Sequence, residues 1–194
     1  EKLVSIKANY WTQVFGYKIT IISSEQLDRP FAFDIDEHVD FIDLKVNYDR
    51  KKSYFSLVNL KKLYSNVLSL KRILKITNPD FVLVASHIPI TYIVPFISGN
   101  AKTIKEFHYT KFYSRESFKE SIFSFFENRY NYLAVLSKEE ESFYKSNKTV
   151  VIPNPLLPNP IIGVRETLKL NKAVFIGRIA PVKNLECMVL VWEK

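Results

Sequence analysis

Apolar positions recur along the chain with two alternating periods. Leu3, Ile6, Tyr10 and Val14 are spaced three to four apart, as on one helical face, and Gly16 follows as a stop. Residues 17–22 are short and β-branched, and residues 39–44 repeat that strand pattern. A long helix is predicted over 54–76, with Leu57, Leu60, Tyr64, Val67 and Leu74 on or near one face, and Asn78-Pro79-Asp80 ends it. Residues 81–85 are continuously apolar, the mark of a strand buried on both faces. A more polar strand follows at 103–107, then a helix at 115–128 with Phe118, Ile122, Phe125 and Phe126 facing inward. Residues 132–136 read as a strand. Ser137 then caps a short helix over 138–144 in a capping box with Glu140, and 149–152 is a last strand.

Strands alternating with helices predict a parallel α/β sheet. Residues 153–160 hold Pro153, Pro155, Pro158 and Pro160, too dense for either regular element. Beyond them, 173–177 reads as a fresh strand and a helix begins near Asn184. The expected organisation is a first domain over 1–152, a linker over 153–168 and the start of a second α/β unit over 169–194. Both ends interrupt an element, so the chain reads as a fragment of a longer one. No repeat of solenoid period is present. Residues 81–101 carry no Asp, Glu, Lys or Arg and are long enough for a bilayer, but Pro89 and Pro95 interrupt them. Strand, turn and short helix explain them better.

Charge changes this picture in one place. The 194 residues carry 28 Lys and Arg against 20 Asp and Glu, a net +8. Eight of the cations lie at 50–75, with no acid: Arg50, Lys51, Lys52, Lys61, Lys62, Lys71, Arg72 and Lys75. Residues 28–43 instead hold six acids and one Arg, with His38 among them. A basic helical stretch is either a solvated face or a contact for anionic lipid, at about 1 kcal/mol per cation near the surface. Lys61, Lys62, Lys71 and Arg72 are the candidate membrane contacts. No RNP, zinc-finger or helix-turn-helix pattern supports nucleic acid. The single Cys187 excludes a disulfide scaffold and a thiolate metal site, and four glycines leave little room for glycine-rich phosphate loops.

The most informative stretch is 173–185. A buried strand ends at Gly177, Arg178 follows at once, and Lys183 stands five residues later at the mouth of a helix. Ligands of open α/β sheets bind at the carboxyl ends of strands, and helix N-termini favour anions. Arg as a fork and Lys as a point charge make this a candidate diphosphate site, against the plainer reading of two surface cations.

This segment resembles the motif that opens the second domain of family 4 (group 1) retaining glycosyltransferases of the GT-B fold. In that family Gly-Arg, four loop residues, Lys and a helix with an aromatic follow one another, and Trp192 takes the last place. Other parts resemble the family in order: Glu1-Lys2-Leu3-Val4 its first glycine-loop exit, Gly16-Tyr17-Lys18-Ile19 its second strand, Asn78-Pro79-Asp80-Phe81-Val82 its "PD" strand entry, Val135-Leu136-Ser137 a strand ending in Ser, and Val151-Ile152-Pro153-Asn154-Pro155 its interdomain segment. The resemblance implies a Rossmann-like first domain. It also implies Gly177, Arg178 and Lys183 as donor-diphosphate binders, and His108 as a catalytic group touching the donor sugar, or else a structural strand-end histidine. His87 is expected to be structural or acceptor-side. The implied reaction moves a sugar with retention from a nucleotide-sugar donor, UDP-linked, to a lipid-linked glycan or polysaccharide acceptor. It needs no metal. The resemblance is to enzymes of bacterial capsule, exopolysaccharide or lipopolysaccharide assembly, placed on the anionic inner face of the membrane as cytoplasmic, peripheral proteins. Two departures stand out: the family's first strand with its glycine loop, and its paired donor-site glutamates, have no counterpart in these residues. The chain is therefore expected to be inactive by itself. A UDP-sugar 2-epimerase of the same fold and a non-catalytic basic α/β module binding membrane or nucleic acid remain the alternatives.

Overall fold

The computed structural model describes residues 2–108, 118–144, 148–155, 175 and 183–192, with the backbone alone at 118–120. The chain divides into two compact units, Glu1–Leu156 and Leu157–Lys194.

The first unit is a Rossmann-like α/β fold. Its elements are α1 (Lys2–Phe15), β1 (Thr20–Ser23), β2 (Asp40–Asp43), α2 (Leu57–Thr77), β3 (Phe81–Val84), a 3-10 turn (Pro89–Tyr92), α3 (Val94–Ile97), β4 (Lys102–Glu106), α4 (Phe118–Glu127), β5 (Tyr132–Val135), α5 (Lys138–Glu141) and β6 (Thr149–Val151). Every ladder is parallel. β1 pairs with β2, Thr20 opposite Asp40, and a four-stranded sheet runs β3-β4-β5-β6 with Phe81 opposite Lys102. Among the described residues no ladder joins β1 to β3. Leu70, Leu74, Val84, Phe107, Leu133 and Val135 centre the core, with Ile22 and Leu44 from the β1–β2 side packed against it. Leu133 and Val135 are almost wholly buried, and such burial contributes about 1.5–3 kcal/mol per side chain.

The helix ends follow their sequence signals. Gly16 takes φ +64 and Tyr17 N–H reaches the Trp11 carbonyl at 3.2 Å. The Ser56 side chain accepts from Asn59 N–H at the start of α2, and Asn78 ends it at φ 41 with its N–H on the Leu74 carbonyl. Ser137 caps α5 by accepting from Glu140 N–H at 3.3 Å.

The buried faces differ from the expectation in three helices. α1 buries Ser5 and Ala8, while Tyr10 and Val14 are exposed, because small side chains let a helix come close to what it covers. In α4, Ile122 and Phe125 are exposed. Phe126 faces inward as expected, 6.2 Å from the Tyr92 ring, which the exposed Phe123 also meets at 5.1 Å, while the Phe118 side chain lies outside the described residues. α2 buries Asn59, Asn66, Leu70 and Leu74, leaving Leu57, Leu60 and Tyr64 exposed. Its polar seam has partners. Asn59 accepts from Asp49 N–H at 2.9 Å and donates to the Asp49 and Ser53 carbonyls at 3.0 and 2.9 Å, and Asn66 donates to the Tyr48 hydroxyl at 3.1 Å.

The stretch 81–101 is a strand, a 3-10 turn and a short helix, and no helix among the described residues is long and apolar enough to cross a membrane. In the second unit, α6 (Leu185–Trp192) is described, with Lys183 exposed just ahead of it. The strand expected over 173–177 lies outside the described residues except for Phe175.

Candidate functional site

β4 carries two charged residues in succession at its carboxyl end, and the pleat sends them to opposite faces. Lys105 is wholly buried. Its Nζ donates to the Ser86 carbonyl at 3.2 Å and to Thr91 Oγ1 at 3.1 Å, and lies 4.6 Å from the centre of the Tyr92 ring. Phe107 and Tyr130 complete an aromatic enclosure at 5.9 and 5.8 Å, and the Tyr130 hydroxyl donates to the Thr91 carbonyl. An ammonium out of water needs such donors' partners and ring faces. Burial pushes Lys105 down to about 8, against the Glu127 carboxylate, and pushes the Tyr130 hydroxyl above its ordinary range. By holding Ser86 and Thr91 together, Lys105 ties the segment after β3 to β4. That segment carries His87.

His87 follows the carboxyl end of β3, and its ring lies over Phe107, 6.0 Å between centres and 24° from parallel. Loss of water at the ring, then the charges of Lys105 and His108, hold His87 down at about 4. At neutral pH it is an uncharged imidazole.

On the other face, the Glu106 carboxylate is bound from two sides. Lys7 of α1 donates to Oε1 at 2.5 Å, and His108 Nε2 lies 3.3 Å from Oε2. A carboxylate against Nε2 keeps the proton there and leaves the lone pair on Nδ1. His108 Nδ1 is buried and has no hydrogen-bond partner among the described residues. The arrangement is a carboxylate-oriented imidazole whose Nδ1 is unpaired among the described residues, the geometry from which a histidine accepts a hydroxyl proton or hydrogen bond.

His108 and His87 thus follow the carboxyl ends of the neighbouring strands β4 and β3, where open parallel sheets bind ligands. Lys183 stands exposed before α6. Gly177 and Arg178 lie outside the described residues. Lys7, Glu106 and Lys105 are the site residues that pattern reading misses. Lys105 leaves one trace, a cation alternating with Thr103 and Phe107 inside a strand; the Lys7–Glu106 contact spans 99 positions and leaves none.

An open groove of about 510 Å³ lies elsewhere, lined by Thr12, Gln13, Gly16, Tyr17, Lys18, Asp36 and His38, ahead of the amino ends of β1 and β2. The Asp36 carboxylate is held at about 2 by His38 N–H, the Gln13 amide and the His38 ring, which stays largely in solvent. Among the described residues no cluster of three or more His, Cys, Asp or Glu is arranged to hold a metal ion. No protein-family model matches the chain, and no curated protein is found to be related to it.

Proposed function

We propose that the protein is a retaining glycosyltransferase that moves a sugar from a nucleotide-sugar donor, UDP-linked, to a lipid-linked glycan or polysaccharide acceptor in bacterial surface-polysaccharide assembly. The carrying observation is His108: it follows the carboxyl end of β4 in a Rossmann-like sheet, Glu106 lies against its Nε2, and its Nδ1 has no hydrogen-bond partner among the described residues. Support also comes from the Gly177-Arg178-x4-Lys183 spacing, which suits a diphosphate. In this reading Arg178 and Lys183 neutralise phosphate charge as the sugar–phosphate bond breaks. Nδ1 of His108 accepts a hydrogen bond from a donor-sugar hydroxyl. Lys105 and Phe107 hold His87 beside it as a neutral second contact.

Calorimetric titration of the full chain with UDP and a panel of UDP-sugars tests the reading. Arg178→Ala and Lys183→Ala each lose roughly tenfold or more in UDP affinity. His108→Ala keeps UDP affinity but loses the increment that the sugar adds. Unchanged UDP affinity in both cation variants overturns the diphosphate assignment.

A further inference from the structure

The outer face of α2 is built the opposite way from that of a solvent-facing helix. Its buried seam spends two positions on asparagine, while Leu57 is 80%, Tyr64 67% and Leu68 50% exposed. These three recur at helical spacing on one face. Lys61, Lys71, Arg72 and Lys75 are interleaved with them or continue the same side, all exposed, and no ion pair engages them among the described residues. The other cations of the basic stretch are partly accounted for. Arg50 pairs with Glu25, Lys52 lies 3.6 Å from Asp49, and Lys62 turns back to donate to the Asn47 carbonyl.

We propose that this face of α2 docks in the plane of an anionic lipid bilayer, with Leu57, Tyr64 and Leu68 immersed at the headgroup boundary and Lys61, Lys71, Arg72 and Lys75 on lipid phosphates. A basic helix with an apolar stripe lies in that interface because acyl chains take the stripe while cations snorkel to the headgroups. The occupant follows from charge. A second copy would set this acid-free face against its own cations, and a nucleic acid would leave the three apolar side chains unused. The proposal stands on α2 alone. It gives a lipid-linked acceptor a physical place, but it does not depend on the transferase reading.

The test is sedimentation of the full chain with phosphatidylcholine vesicles, with and without phosphatidylglycerol. Binding is expected with phosphatidylglycerol only. Leu57→Ser with Leu68→Ser, which leaves charge unchanged, weakens it roughly tenfold. Lys61→Gln with Lys71→Gln and Lys75→Gln weakens it as much, and Lys62→Gln leaves it unchanged. Tyr64→Trp adds a fluorophore whose emission, taken as a difference from the parent, shifts to the blue on the same vesicles. Circular dichroism checks that these surface variants fold. No binding to phosphatidylglycerol vesicles overturns the proposal. So does binding that salt abolishes, that ignores the two serine changes and that brings no blue shift, since that is charge alone. A concentration-dependent dimer lost with the serine changes, without vesicle binding, overturns it in favour of self-association. UDP affinity measured on the same variants stays at the parent value, which separates this outcome from the fate of the diphosphate assignment.

Discussion

Glu106 lies between a lysine and a histidine, almost wholly buried, and its charge must be satisfied by both. Removing either end of a buried ion pair leaves the other uncompensated, which costs more than the pair contributes. Lys7→Met is expected to destabilise by about 2 kcal/mol, and Glu106→Gln by a similar amount. The double variant costs less than the sum by about 1 kcal/mol or more, since the two share one interaction. Urea denaturation of the four proteins checks this, and simple additivity would show that the contact carries no coupling. At this scale the sequence is a partial guide. His108 is visible as a histidine closing a strand, because strand limits follow local composition. Its orientation by Glu106, and the Lys7 contact behind it, depend on how α1 folds over β4 and are invisible to any local pattern.

α2 shows how an element is read correctly in its extent and incorrectly in its facing. Ser56 and Asn78 bound it by hydrogen bonds made within four residues, so those limits are legible. Which face is buried depends on what packs there. The loop before the helix presents the Asp49 and Ser53 carbonyls and the Asp49 N–H, and Asn59 satisfies all three. Asn59→Leu is therefore expected to cost about 2 kcal/mol by orphaning these groups, and hydrogen exchange of the Asp49 amide should accelerate. Leu68→Ser, on the outer face, should change stability by less than about 0.5 kcal/mol. Chemical denaturation of the two variants gives the comparison; a larger loss in Leu68→Ser would mean that the outer face is packed.

For the molecule as a whole, His87 and Lys105 make stability depend on pH in a definite direction. His87 is held at about 4 in the fold against 6.5 in a free chain. The unfolded chain therefore binds the proton first, and stability falls as pH drops from about 6.5 towards 4. Lys105, held at about 8 against 10.5, makes stability rise with pH from about 8 towards 10. The stability of the parent relative to His87→Gln should shrink as pH falls through the lower window. Relative to Lys105→Met it should grow as pH rises through the upper one. Urea midpoints across pH read both, and flat differences would mean that neither group is desolvated as described. By itself the sequence determined the alternation of strands and helices, their caps, the parallel α/β class and the strand-end places of His87 and His108, because those rest on periodicity and on hydrogen bonds between near neighbours. Folding in three dimensions set the rest: Asn59 and Asn66 share the buried seam of α2 with Leu70 and Leu74, Lys105 is enclosed by Tyr92, Phe107 and Tyr130, and Lys7 reaches Glu106. Burial and ion pairing are set by segments that meet in space, and the chain carries no local record of those meetings.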